Sequence, residues 1–133
     1  MGLMSGSARS RSIEDHLKPG DHLCFLYEDK TEQFQVAMPF LVNGLAKGEK
    51  CLYLADENTA AEIKAGLLMH GVDVERCLRS GQLTILTAGQ SPISPGRFDP
   101  RVLVAFLTSA VKEALEAGYS GLRAAGEGTW ILR

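Results

Sequence analysis

Acidic and aromatic side chains follow the apolar runs of this chain, and that placement is where chemistry would be done. Tyr27-Glu28-Asp29-Lys30-Thr31 follows the run that begins at His22. Asp56-Glu57 follows Cys51 to Ala55, and Glu127, Thr129 and Trp130 follow "GLRAAG". If the runs are parallel strands, these residues meet beyond the carboxyl ends, where open α/β sheets bind their ligands. The expected ligand-binding set is therefore His22, Cys24, Tyr27, Glu28, Lys30, Asp56, Glu57, Glu127 and Trp130. Plainer roles compete for several of them. Glu28 and Asp29 can cap a helix, Asp56-Glu57 can be a solvated turn, and Trp130 and His22 can be core residues.

Several chemistries are excluded by spacing. A phosphate cradle needs G-x-x-x-x-G-K-[ST], because backbone N–H groups must wrap the phosphates. The turn after the first strand has no glycine; Lys30-Thr31 matches only the final pair, and Glu28-Asp29 before it would repel phosphate. "GYSGL", 118–122, approaches a nucleophile elbow but lacks its glycine spacing. There is no H-E-x-x-H and no His pair at i, i+4. His22 and Cys24 alternate onto one face of an expected buried sheet, where a metal site with Cys51 is disfavoured. No catalytic residue, metal or cofactor is expected.

The elements that must position these groups can be read from period and punctuation. Pro19-Gly20 turns into a strand over 22–27, and a helical stretch then runs to about Ala46. Pro39 inside it either kinks that helix or opens a shorter one near residue 38. "CLYLA", 51–55, is a continuous apolar run, as in a strand buried on both faces. Thr59 with Glu62 forms a capping box for a helix to about His70, Asp73 starts a short helix to Arg79, and "QLTIL", 82–86, is a third strand. After a Gly/Ser/Pro-rich loop over 87–98, Asp99-Pro100 starts a helix. Its apolar rhythm is Leu103, Phe106, Leu107, Ala110, Val111, Ala114 and Leu115. Residues 121–127 are a fourth strand. The order β-α-β-α-α-β-α-β predicts an α/β fold, a mainly parallel sheet flanked by helices in three layers. Six residues follow Glu127. Doubly wound sheets usually continue, so a further helix and one or more strands are expected beyond residue 133.

At 133 residues the chain suits one domain. Residues 1–18 read as a disordered or partly ordered tail and 19–133 as the domain. A net charge of −2 forces no basic face, so this segment is not expected to contact nucleic acid. No run reaches a membrane span, and Cys24, Cys51 and Cys77 are too irregularly spaced for a disulfide framework. A reducing, cytoplasmic setting is expected.

Taken together, "DHLCFLYEDKTEQFQVAMPFLVNGLAKGEKCLYLADE", "GVDVERCLRSGQLTIL", "GRFDP" and "GYSGLRAAGEGTW" resemble the MEDS domain over about residues 19–132. That sensory domain is named after methanogen and methylotroph proteins and the regulator DcmR. The same segments resemble RecA/KaiC-like ATPases, in which two acidic residues end a strand where Asp56-Glu57 stand here. The resemblance implies a degenerate RecA/KaiC-like, P-loop NTPase-like architecture without the phosphate loop. It implies a non-catalytic sensory domain of a prokaryotic signalling or transcription-control protein. Its partners would be a small organic ligand and a fused or separate output domain: a kinase, anti-sigma or DNA-binding module. Two alternatives stay open. One is an interaction or dimerisation module without small ligand, as in a homodimer. The other is a divergent ATPase or phosphotransferase using Lys30, Thr31, Asp56 and Glu57.

Overall fold

The computed structural model describes residues 2–5, 23–26, 30–55, 58–87 and 99–127, with residues 2–5, 23–26 and Lys30 as backbone only. The chain forms two compact units, Met1–Phe40 and Leu41–Arg133. In the first, strand β1 (Gly2–Ser5) pairs in parallel with β2 (Leu23–Leu26), Gly2 opposite Leu23 and Ser5 opposite Leu26. β2 is the predicted first strand, trimmed at each end. β1 falls where a tail is expected from sequence, because four residues with glycine and serine at their ends carry no readable alternation.

Helix α1 (Lys30–Ala46) contains Pro39, so the chain is helical on both sides of the proline and no new helix opens at residue 38. The second unit then runs β3 (Lys50–Leu54), α2 (Ala60–Met69), α3 (Val74–Ser80), β4 (Leu83–Leu86), α4 (Pro100–Glu116) and β5 (Leu122–Gly126). Local chemistry accounts for the boundaries. Thr59 and Glu62 close the predicted capping box, and Asp73 and Asp99 accept the amides of Arg76 and Arg101. Gly81 ends α3 at φ 83°, a left-handed position that a side chain would strain.

The three strands form a parallel sheet in the order β4-β3-β5. Cys51 stands opposite both Leu83 and Arg123, and Tyr53 opposite Ile85 and Ala125. The chain steps from β3 to one neighbour and then back across β3 to the other. Right-handed crossovers place the two connections on opposite faces. The packing agrees. Leu52 and Leu54 meet Leu103, Phe106 and Leu107 of α4, with Leu86 and Leu122 beside them. On the other face the Cys51 thiol lies 3.5 Å from the Leu41 carbonyl of α1. A Cβ on Gly44 would lie 2.6 Å from Arg123 Cδ and 2.8 Å from Cys51 Sγ, so α1 seats its bare backbone there. The fold is three-layer α/β, and β3 is buried on both faces from Cys51 to Leu54.

The apolar rhythm of α4 is realised only in part. Leu103, Phe106 and Leu107 reach the sheet and Ala114 is buried, but Val111 and Leu115 are exposed, as are Val102 and Val104. The three-stranded sheet is narrower than the apolar arc of the helix. Val104, Val111 and Leu115 therefore lie along its flank.

Candidate functional site

The carboxyl ends of β3 and β5 are adjacent in the order β4-β3-β5, and open parallel sheets bind ligands beyond such ends. The ladder extends past the strands here. The Glu127 amide donates to the Leu54 carbonyl at 3.0 Å and the Ala55 amide to Leu86 at 2.8 Å. Glu127 is thereby fixed at the end of β5, and its carboxyl turns inward, 2% exposed. Oε2 accepts from the Tyr53 hydroxyl at 2.8 Å and from Asn58 Nδ2 at 2.7 Å. Oε1 accepts from the Asn58 backbone amide at 3.1 Å. Tyr53 and Asn58 are themselves buried. A carboxylate out of water must be hydrogen-bonded, and such charge-assisted bonds are among the stronger ones a protein makes. One side chain thus joins the middle strand, the end of β5 and the residue just before the Thr59 cap of α2.

The amino ends of the same strands are built differently. Arg123 Nε of β5 donates to Glu49 Oε1 at 2.6 Å, with both side chains largely covered. Gln82 Nε2 donates to the Leu45 and Glu49 carbonyls, both at 3.0 Å. Burial pushes the Cys51 thiol up to about 12, with Arg123 opposing the rise, so it is no nucleophile at neutral pH. At this end opens a groove of about 580 Å³ whose lining includes Leu45, His70, Asp73, Arg76, Cys77 and Tyr119. The Cys77 thiol is also raised, by burial first and Asp73 second, with Arg76 opposing. Among the described residues no group of three or more His, Cys, Asp and Glu side chains is placed to hold a metal ion.

The family model described as "MEthanogen/methylotroph, DcmR Sensory domain" (MEDS) matches residues 21–133. The chain belongs to the MEDS family. A sensory or regulatory role goes with that membership. No curated protein and no solved structure matches the chain. Among the described residues no helix of this MEDS domain is long and apolar enough to cross a membrane.

Of the nine expected site residues in the MEDS domain, Glu127 is the one whose side chain is described, and it lies at the strand end where it is expected. His22, Tyr27, Glu28, Asp56, Glu57 and Trp130 lie outside the described residues, and Cys24 and Lys30 are described by backbone only. Sequence reasoning missed Tyr53 and Asn58 as partners of Glu127. Tyr53 had a signal: it is the one hydroxyl in an otherwise apolar run, and a buried tyrosine needs a partner for its O–H. Asn58, next to a capping threonine, reads only as turn polarity.

Proposed function

We propose that this MEDS domain is a non-catalytic sensor that binds a small organic ligand in the crevice at the carboxyl ends of β3 and β5. The observation that carries the reading is the buried Glu127 carboxyl, gathered with Tyr53 and Asn58 at the carboxyl end of a parallel sheet. Asp56, Glu57 and Trp130 adjoin this network in sequence and are taken as further contacts. The assignments of His22, Cys24, Tyr27, Glu28 and Lys30 rest on sequence alone. Binding alters signalling only if the ligand prefers one arrangement of the domain, by about 1–3 kcal/mol in typical cases. A fused kinase, anti-sigma or DNA-binding module in the cytoplasm would read the change. The negative net charge gives this segment no footprint for nucleic acid.

A second reading, an interaction or dimerisation module, is favoured by the exposed Val104, Val111 and Leu115 along α4. Native mass spectrometry of the gently purified protein separates the two. A bound organic mass that disappears on Glu127→Ala supports the sensor. A ligand-free dimer dispersed by Val111→Lys supports the module. A nucleotide mass, or stabilisation by magnesium ATP that is lost on Lys30→Ala, would overturn both.

A further inference from the structure

The carboxyl-end network and the amino-end groove share one element, α2. Its start follows Asn58 and Thr59, and its end runs directly into His70, Gly71, Val72 and Asp73 of the groove. The helix is short and closed at both ends. Glu62 N donates to Thr59 Oγ1 at 3.2 Å in the capping box. At the far end His70 Nδ1 lies 3.0 Å from the Gly66 carbonyl, and the Val72 amide donates to Leu67 at 3.2 Å. Ten residues at a rise of 1.5 Å each make α2 about 15 Å long. Ile63, Gly66 and Leu67 are buried, so any shift of α2 slides against the rest of the unit. Asp73 caps α3 by accepting the Arg76 amide, and it lines the groove together with Arg76 and Cys77.

We propose that Glu127 is the positioning residue that holds α2 in register, and that α2 transmits a change at the carboxyl end of the sheet to the groove at its amino end. Asn58 is the grip. Glu127 takes both its backbone amide and its side-chain amide, so releasing Glu127 frees the residue immediately before the Thr59 cap of α2. The Tyr53 hydroxyl fixes the carboxylate from the sheet side. The inference rests on the sensor reading only for what releases the grip; the mechanical link is tested without any ligand.

The experiment uses the full chain with Cys24→Ser, so that thiol labelling reports Cys77 while the buried Cys51 stays silent. Amide exchange is read by NMR at Asn58, Glu62 and Ile63, and at Lys50 and Cys51 as references bonded to Gly121 and Gln82. Glu127→Ala is expected to speed exchange at the first three by roughly tenfold to a hundredfold, the loss of a buried charge-assisted bond. The references should keep their rates, and Cys77 labelling with a disulfide reagent should change. Tyr53→Phe, the milder variant should Glu127→Ala fail to fold, gives the same pattern more weakly. Glu127→Gln restores protection, because a flipped Asn58 amide and a turned Tyr53 hydroxyl satisfy the new amide. Three results overturn the proposal. They are uniform acceleration including Lys50 and Cys51, no acceleration, and acceleration confined to 58–63 with Cys77 unchanged. An organic ligand that fails to appear in mass spectrometry leaves these outcomes intact and sinks only the sensor reading.

Discussion

The two ends of the pair β3 and β5 use the same kinds of groups in opposite ways. At the amino end a carboxylate meets a guanidinium: Glu49 and Arg123 are 2.6 Å apart, largely covered, with Gln82 tying down neighbouring carbonyls. At the carboxyl end a more deeply buried carboxylate, Glu127, is met by a phenol and an amide. Glu49 and Arg123 form an ion pair, whereas the donors that Tyr53 and Asn58 bring to Glu127 are neutral. The amino end is therefore read as the rigid anchor of the unit and the carboxyl end as its responsive part.

Breaking the anchor gives the largest effects. Gly44→Val forces a branched side chain into the 2.6 and 2.8 Å gaps against Arg123 and Cys51 and is expected to cost about 3 kcal/mol. The midpoint of urea unfolding measures it, and an unchanged midpoint would mean that α1 does not seat there. Arg123→Met removes one partner from a largely covered pair and leaves Glu49 short of a donor. About 1–3 kcal/mol is expected, and a matching Glu49→Gln should recover part of it.

A smaller change probes the responsive end. Thr59→Ala removes the exposed half of the capping box at a cost of about 1 kcal/mol. It should raise amide exchange in α2 and leave β4 alone. A loss spread evenly over the unit would blur the distinction between the two ends.

Cys51 supplies the gentlest test, by pH. Its thiol ionises near 9.0 when unfolded and about 12 when folded, because burial disfavours the thiolate. The folded state keeps the proton longer, so this contribution is complete below pH 9.0 and is lost as pH rises toward about 12. Cys51→Ala should flatten that part of the stability curve relative to wild type. Identical slopes would show that water reaches the thiol.

How far these ends were legible in sequence depends on the range of the interaction. The caps of α2, α3 and α4 were read correctly because Thr59-Glu62, Asp73 and Asp99-Pro100 act within one turn of themselves. β3 was legible because a five-residue apolar run between Lys50 and Asp56 suits a short strand covered on both faces. The pairing of β1 with β2 was not, since four residues show no period. The exposure of Val111 and Leu115 was not, since apolar spacing tells which residues share a face but not how wide a sheet they meet. Within the candidate site, the place of Glu127 at the end of β5 was legible from sequence. Its bonds to Tyr53 and Asn58 span 74 and 69 residues, and no local pattern encodes them.

Gly44 carries a consequence for how such sequences can vary. Its missing Cβ, the Cys51 sulfur and the Arg123 side chain share one small volume between α1 and the sheet. A relative with alanine at position 44 must give up volume at 51 or 123. If it gives up the arginine, it must also give up the acid at 49. Positions 44, 49, 51 and 123 should therefore drift as a set, and that pattern of joint change would mark this packing in chains whose overall likeness to this one has faded.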